Sequence, residues 1–226
     1  QIILGVYPND RPTWEAAERI QSKFSQVRVI VNDRPGPTSK GQLLNFMVRS
    51  LLNRKDPLKS SYDAFLLHDS EDLIHPLSLR LLNLELERAD FLQIPVFSLK
   101  TPFFQLTAGT YADEFAEAHT KIMLVREILG AAIPSAGVGT AISRRLMQAT
   151  LKENQGDFLN EHTLTEDYQL GQTAWRLGYR TSFVCAYTTQ QGRKDYIATR
   201  EFFPDDLAAS IRQKTRWVTG IAFQGR

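Results

Sequence analysis

Tyr62-Asp63-Ala64-Phe65-Leu66-Leu67-His68-Asp69-Ser70-Glu71-Asp72 is the stretch that decides the fold. An apolar run from Tyr62 to Leu67 passes without a spacer into the carboxylates Asp69, Glu71 and Asp72. Such a run reads as a strand, and the switch to acidic residues marks its carboxyl end. Crowded carboxylates repel one another, and burial raises the cost. A divalent cation removes that penalty. Hard oxygen ligands suit Mg²⁺ or Mn²⁺, which keep waters and bridge to substrate phosphates. The competing reading is a solvated acidic turn favouring a helix N-terminus.

On either side of this stretch, strands and helices alternate. Ile2 to Tyr7 is a strand that breaks at Pro8-Asn9-Asp10-Arg11-Pro12. A helix capped by Thr13 is expected next, with Ala16, Ala17, Ile20 and Phe24 facing inward. Val27 to Val31 is a second strand. Arg34-Pro35-Gly36-Pro37 is a rigid loop, and Ser39 opens a helix with Leu43, Leu44, Met47, Leu51 and Leu52 on one face. Beyond the acidic cluster, the pattern predicts a helix from Pro76 to Ala89, a strand from Phe91 to Leu99 and a long helix from Tyr111 to Leu129. Phe115, Ile122, Val125 and Ile128 are that helix's candidate core positions. A small-residue loop spans Gly130 to Gly139. A helix from Thr165 to Leu177 stops at Gly178, a strand runs from Tyr179 to Tyr187, and the tail from Asp205 is helical. This alternation predicts an α/β fold, a mixed, mostly parallel sheet flanked by helices, in one domain over 1–226. Ligands of such sheets sit beyond the carboxyl ends of the strands, where the acidic cluster lies.

Composition narrows the function classes. The chain has 226 residues, 42% hydrophobic and 23% charged, the proportions of a globular domain rather than a disordered or low-complexity one. Lys and Arg total 27 against 25 Asp and Glu, so no broad basic field serves nucleic acid. The single cysteine, Cys185, excludes an intrachain disulfide and reads as core. No apolar run reaches the ~20 residues that span a bilayer. The chain starts at Gln1 without an initiator Met, already in strand-like sequence, so a segment of a longer protein is expected.

Further motifs carry chemistry beside plainer readings. Thr165-Glu166-Asp167 at a helix start is a capping pattern, or a carboxylate poised to take a proton from a hydroxyl. Gln213-x-x-Arg216-Trp217 places a guanidinium and an indole on a helix, suited to a sugar or phosphorylated leaving group. The plainer reading is a packed Trp beside a surface Arg. Lys40 and Asn45 open a helix after the proline loop, where a Lys can meet a phosphate or simply be exposed. Gly137-Val138-Gly139-Thr140 lacks the spacing of a P-loop or dinucleotide fingerprint. His68, His75, His119 and His162 have no metal-ligand spacing.

In this order, Asp69-Ser70-Glu71-Asp72, Thr165-Glu166-Asp167 and Gln213-Lys214-Thr215-Arg216-Trp217 resemble the processive family 2 glycosyltransferases of the GT-A fold. That group includes bacterial cellulose synthase and hyaluronan synthase. Gly5 to Asp10, Arg34 to Lys40, His68 to Pro76, Pro134 to Thr140 and Leu164 to Tyr168 are similar to the cytoplasmic domain of inner-membrane members from Gram-negative bacteria.

The resemblance implies a GT-A (Rossmann-like) fold whose first strand precedes Gln1, and a larger membrane protein acting in polysaccharide synthesis at the cytoplasmic face of the inner membrane. It implies an inverting transferase that moves a sugar from a nucleotide-diphosphate sugar, UDP-linked, to a glycan. Asp167, with Glu166 beside it, matches the general base. Asp69 and Glu71 or Asp72 match the D-x-D acids that contact the nucleotide and hold Mg²⁺ or Mn²⁺. Asn9, Asp10, Lys40, Asp69, Gln213, Arg216 and Trp217 match donor-binding positions. Gly137, Val138, Gly139, Thr140 and Trp217 fall on the acceptor side. Two further readings stay open: a nucleotidyltransferase of similar fold, and a non-catalytic membrane scaffold partnering an outer-membrane export or receptor protein.

Overall fold

The computed structural model describes residues 1–52, 62–190 and 192–224. They form two compact units, one from residues 1–62 and 149–162, the other from residues 63–148 and 163–226.

In the first unit, β1 (Ile2–Val6) leads to α1 (Arg11–Lys23), β2 (Val27–Val31) and α2 (Lys40–Leu52). The two strands pair in parallel, Ile2 opposite Val27 and Val6 opposite Val31. Asp10, not Thr13, caps α1, accepting from the Thr13 N–H, and Pro12 sits in the first turn where no backbone donor is missed. Of the expected inner stripe only Ala17 is buried; Ile20 and Phe24 are half exposed. Ser39 opens α2 as expected, its Oγ accepting from Gln42 N at 3.1 Å. Of the expected α2 stripe Leu51 is buried and Leu43, Leu44, Met47 and Leu52 are partly buried; Gly41, Gln42, Asn45 and Val48 complete the buried face. Polar side chains are tolerated there because they are paired: Asn32 and Gln42 exchange amide hydrogen bonds of 2.9 and 3.3 Å. Asn45 exchanges both its amide groups with the Leu159 backbone.

The second unit begins with β3 (Ala64–Leu67), β4 (Leu73–Ile74) and α3 (Ser78–Glu85). The expected strand from Phe91 to Leu99 is two strands, β5 (Phe91–Gln93) and β6 (Val96–Ser98), in different sheets. Pro95, which has no N–H to give a ladder, separates them. The expected long helix is α4 (Leu106–Glu117), a π-helical stretch from Ala118 to Ile122, and α5 (Met123–Ile128). The inward line runs through Tyr111, His119 and Met123, with Phe115 partly buried, while Ile122, Val125 and Ile128 face outward. Then follow β7 (Thr140–Ser143), α6 (Arg144–Glu153), α7 (Glu166–Arg176), β8 (Thr181–Phe183), β9 (Tyr187–Gln190), β10 (Arg193–Tyr196), β11 (Thr199–Glu201) and α8 (Leu207–Val218), which passes into a π-helical turn, Thr219–Gln224. β7 and α6 had no forecast; a four-residue strand is too short to show a period.

The main sheet has the order β3-β7-β5-β8. β7 runs antiparallel to both β3 and β5, and β5 runs parallel to β8, so the architecture is mixed α/β. A second sheet, β4-β11-β6, is also mixed, and β9 and β10 form an antiparallel pair. Leu82, Ala89, Leu92, Ile94 and Ala141 pack the main sheet against α3.

Candidate functional site

The end of β3 anchors the site. Leu67 pairs with Thr140, and the Gly139 N–H donates to Leu67 O at 2.9 Å. The acidic cluster that leaves β3 and the glycine loop that enters β7 therefore lie at the same sheet edge. The ends of β5 at Gln93 and β8 at Phe183 share that edge through the register.

Within the acidic cluster the carboxylates differ. Asp72 is turned inward, its side chain inaccessible to solvent. Its Oδ2 accepts from the Asp69 N–H at 3.0 Å and pairs with His68 Nδ1 at 2.8 Å. It braces the turn, while Asp72 Oδ1 and His68 Nε2 are buried without a partner. Glu71 is exposed and accepts from Ser70 Oγ at 3.1 Å; Asp69 is partly buried. Among the described residues, no three His, Cys, Asp or Glu side chains converge as a metal cage. The donor set nonetheless fits a hydrated Mg²⁺ or Mn²⁺, which takes one or two carboxylates and completes its shell with water and phosphate oxygens. Glu71, exposed, and Asp69, partly buried, are the two acids of the cluster that could offer it oxygens.

The Thr165-Glu166-Asp167 motif opens α7. Thr165 occupies the capping position but makes no side-chain cap; its Oγ1 is buried, unpartnered, and pressed against Gly220. Asp167 Oδ1 accepts from the Tyr168 N–H at 2.7 Å. Asp167 Oδ2 lies so close to Gly137 that a Cβ there would collide with it. One helical turn on, Gly171 lets α7 seat directly on the Ile133 carbonyl. Two glycines thus bring the carboxylate to the loop that meets β3.

The Gln213-x-x-Arg216-Trp217 helix, α8, runs alongside α4. Tyr111 OH meets Ser210 O, and Lys214 pairs with Glu114. Trp217 packs edge-on to Tyr111 at 5.9 Å and beside Phe115, in a cluster with Val96, Val138 and Phe203. Its indole is partly buried in packing, as the plainer reading of the motif expected, and Arg216 is exposed. Gln213 Oε1 is buried without a partner. The turn after α8 latches onto α7: Leu164 N donates to Gln224 Oε1 at 2.8 Å and Gln169 Nε2 to Gln224 O at 3.1 Å.

The second unit thus brings together the acidic cluster, the glycine loop, Asp167 and the Trp217 helix. The side chains of Val138 and Thr140 point into the core, and Gly137 and Gly139 are buried as well, so the loop offers no exposed side chain from Gly137 to Thr140. Asn9, Asp10 and Lys40 belong to the first unit. There Asn9 clasps the proline loop, exchanging hydrogen bonds with the Gly36 N–H and carbonyl at 2.6 and 2.8 Å, and Asp10 is the α1 cap. Lys40 is partly buried at the start of α2. Asn45 is fully buried and holds backbone. Cys185 is partly buried, and burial pushes its thiol up, which suits an inert side chain. Gln93, which the sequence did not single out, is buried beneath the glycine loop.

A family model described as glycosyltransferase like family 2 matches residues 1–220. The chain is 38% identical over 237 residues to bacteriophage adsorption protein B of Escherichia coli K12, the protein that the five stretches from Gly5 to Tyr168 resemble. Bacteriophage N4 adsorption protein B of Escherichia coli O157:H7 matches equally. Each alignment covers 99% of this chain and 32% of the relative, so the chain spans about a third of the length of the curated relatives it matches. A solved mycobacterial protein aligns over 98% of this chain and 64% of its own, at 14% identity and a TM-score of 0.45.

Proposed function

The chain belongs to glycosyltransferase family 2, and from that premise we propose that it carries out inverting transfer of a sugar from a nucleotide-diphosphate sugar, UDP-linked, to a hydroxyl of a growing glycan. The observation that carries this reading is the placement of Asp167 against Gly137, at the loop joined to the β3 edge from which Asp69 projects. Asp167 takes the proton of the acceptor hydroxyl, whose oxygen attacks C1 from the face opposite the nucleotide. Glu166 lies beside it at the helix start. Asp69 and Glu71 would hold a divalent cation, which would supply positive charge for the leaving diphosphate. Arg216 adds positive charge on the leaving-group side. The parent protein works at the cytoplasmic face of the bacterial inner membrane, with an outer-membrane export or receptor protein as partner.

The test is Asp167→Asn in the full-length protein. Transfer, read as nucleoside diphosphate release, should fall by about 100-fold or more, as for loss of a general base. Donor binding should persist. Undiminished turnover removes Asp167 from the mechanism, and release of pyrophosphate instead of nucleoside diphosphate establishes nucleotidyl transfer.

A further inference from the structure

Gln93 is wholly inaccessible to solvent, at the end of β5. Every polar atom of its amide is used. Nε2 donates to Ile94 O at 2.8 Å and Val138 O at 2.9 Å. Oε1 accepts from the Ala136 N–H at 2.9 Å and from Thr140 Oγ1 at 2.7 Å. Ser135 Oγ lies 2.7 Å from Thr140 Oγ1 and accepts from the Gly137 N–H at 3.0 Å.

These contacts fix the direction of every proton. The Gln93 amide hydrogens point at carbonyls, so its oxygen must accept and Thr140 must donate to it. Thr140 Oγ1 then accepts the Ser135 proton, and Ser135 Oγ accepts the Gly137 N–H. A single directed chain runs from Gly137 through Ser135 and Thr140 to Gln93, with no buried polar atom of the chain left over. It starts at Gly137, where an added Cβ would run into the Asp167 carboxylate.

We infer that Gln93 is a positioning residue for the transfer reaction: through the Ser135–Thr140 loop it holds the Gly137 peptide, and with it the Asp167 carboxylate, in the reactive placement. The inference rests on the reading of Asp167 as the base. Gln93 touches neither substrate nor reacting atoms. It acts because a buried amide bonded through both its nitrogen and its oxygen fixes one arrangement of the Ser135–Thr140 loop. The loop has a left-handed backbone at Gly137 and Gly139, with φ of 81° and 62°, and leaving it free would let the carboxylate drift.

The experiment compares Gln93→Leu, Ser135→Ala, their double variant and Asp167→Asn in the full-length membrane protein. Nucleoside diphosphate release is followed against donor concentration, and stabilisation by Mn²⁺ plus UDP is measured in parallel. Both single variants should lower kcat by about 10- to 100-fold, the cost of an ångström-scale misplacement. The donor KM should stay within about twofold. The double variant should fall no further than the worse single, because both cut one chain. Full kcat in Gln93→Leu or Ser135→Ala, beside an inactive Asp167→Asn, overturns the inference and leaves the base reading standing. A fall in kcat accompanied by a raised donor KM and lost stabilisation also overturns it, by showing a role in folding alone. An active Asp167→Asn overturns the base reading itself, and the inference with it.

Discussion

Asp72 and Glu71 show how little adjacent carboxylates need to share. Asp72 has two hydrogen bonds and no solvent exposure; Glu71 is exposed. Asp72→Ala removes the acceptor that satisfies Asp69 N and His68, and thermal or chemical unfolding should show a loss of about 1–3 kcal/mol. Glu71→Gln should stay within about 0.5 kcal/mol of the parent, as an exposed substitution does. Equal stability losses in the two would contradict the inward bracing of Asp72. Gly137 carries a sharper prediction. Its φ of 81° costs a residue with a Cβ about 1–2 kcal/mol, and that Cβ would displace Asp167. Gly137→Ala should therefore lose transfer far beyond its loss of stability; a variant equally stable and equally active would refute the close approach. The acidic strand end and the charged helix start were legible as local patterns, and the family resemblance pointed to Asp69 and Asp167 within them. Which acid turns inward was not legible, because it depends on the His68 ring and one backbone N–H brought together by the turn.

Elements meet through glycines and rings whose roles no periodicity announces. Gly220, in the π-helical turn after α8, has Thr165 Oγ1 2.5 Å from where a Cβ would stand. Gly220→Val should push α8 from α7 and destabilise by about 1–3 kcal/mol, the usual cost of overpacking; an unchanged melting temperature would argue against the latch. His119 sits in the π-helical stretch between α4 and α5, stacked on Phe183, and burial lowers its pKa to about 4. The unfolded chain binds this proton near the ordinary 6.5, whereas the folded chain resists it until about 4. Folding stability from this group is therefore complete above pH 6.5 and is lost as pH falls from there toward 4. The full difference is about 3 kcal/mol. His119→Phe should flatten stability over that window, and an identical acid profile in the variant would refute the assignment. The extent of α7 and the start of α2 were readable because Thr165 and Gly178 bracket the one and Ser39 opens the other. The division of the Phe91–Leu99 run and the rotation of the Tyr111–Leu129 face were not, since a Pro95 corner and a π-helical insertion act through geometry rather than hydropathy.

For the whole molecule, family membership and the two compact units set what an experiment on the full-length protein must show. Mn²⁺ with UDP at about 100 times its Kd should add about 2.7 kcal/mol of stability, and Asp69→Asn should remove most of that gain. An undiminished gain in the variant would detach Asp69 from the nucleotide site. Among the described residues no helix is long and apolar enough to cross a membrane. The sequence by itself determined the alternation of strand and helix, the acidic end of β3 and the order of the three motifs, because each is written in neighbouring residues with a short-range physical preference. Only the tertiary structure decided that β7 enters antiparallel, that Val138 and Thr140 face the core, and that Gln93 lies beneath the loop against Asp167. Those outcomes turn on hydrogen bonds and close approaches between residues tens of positions apart. Local propensity carries no record of such contacts until the chain has closed on itself.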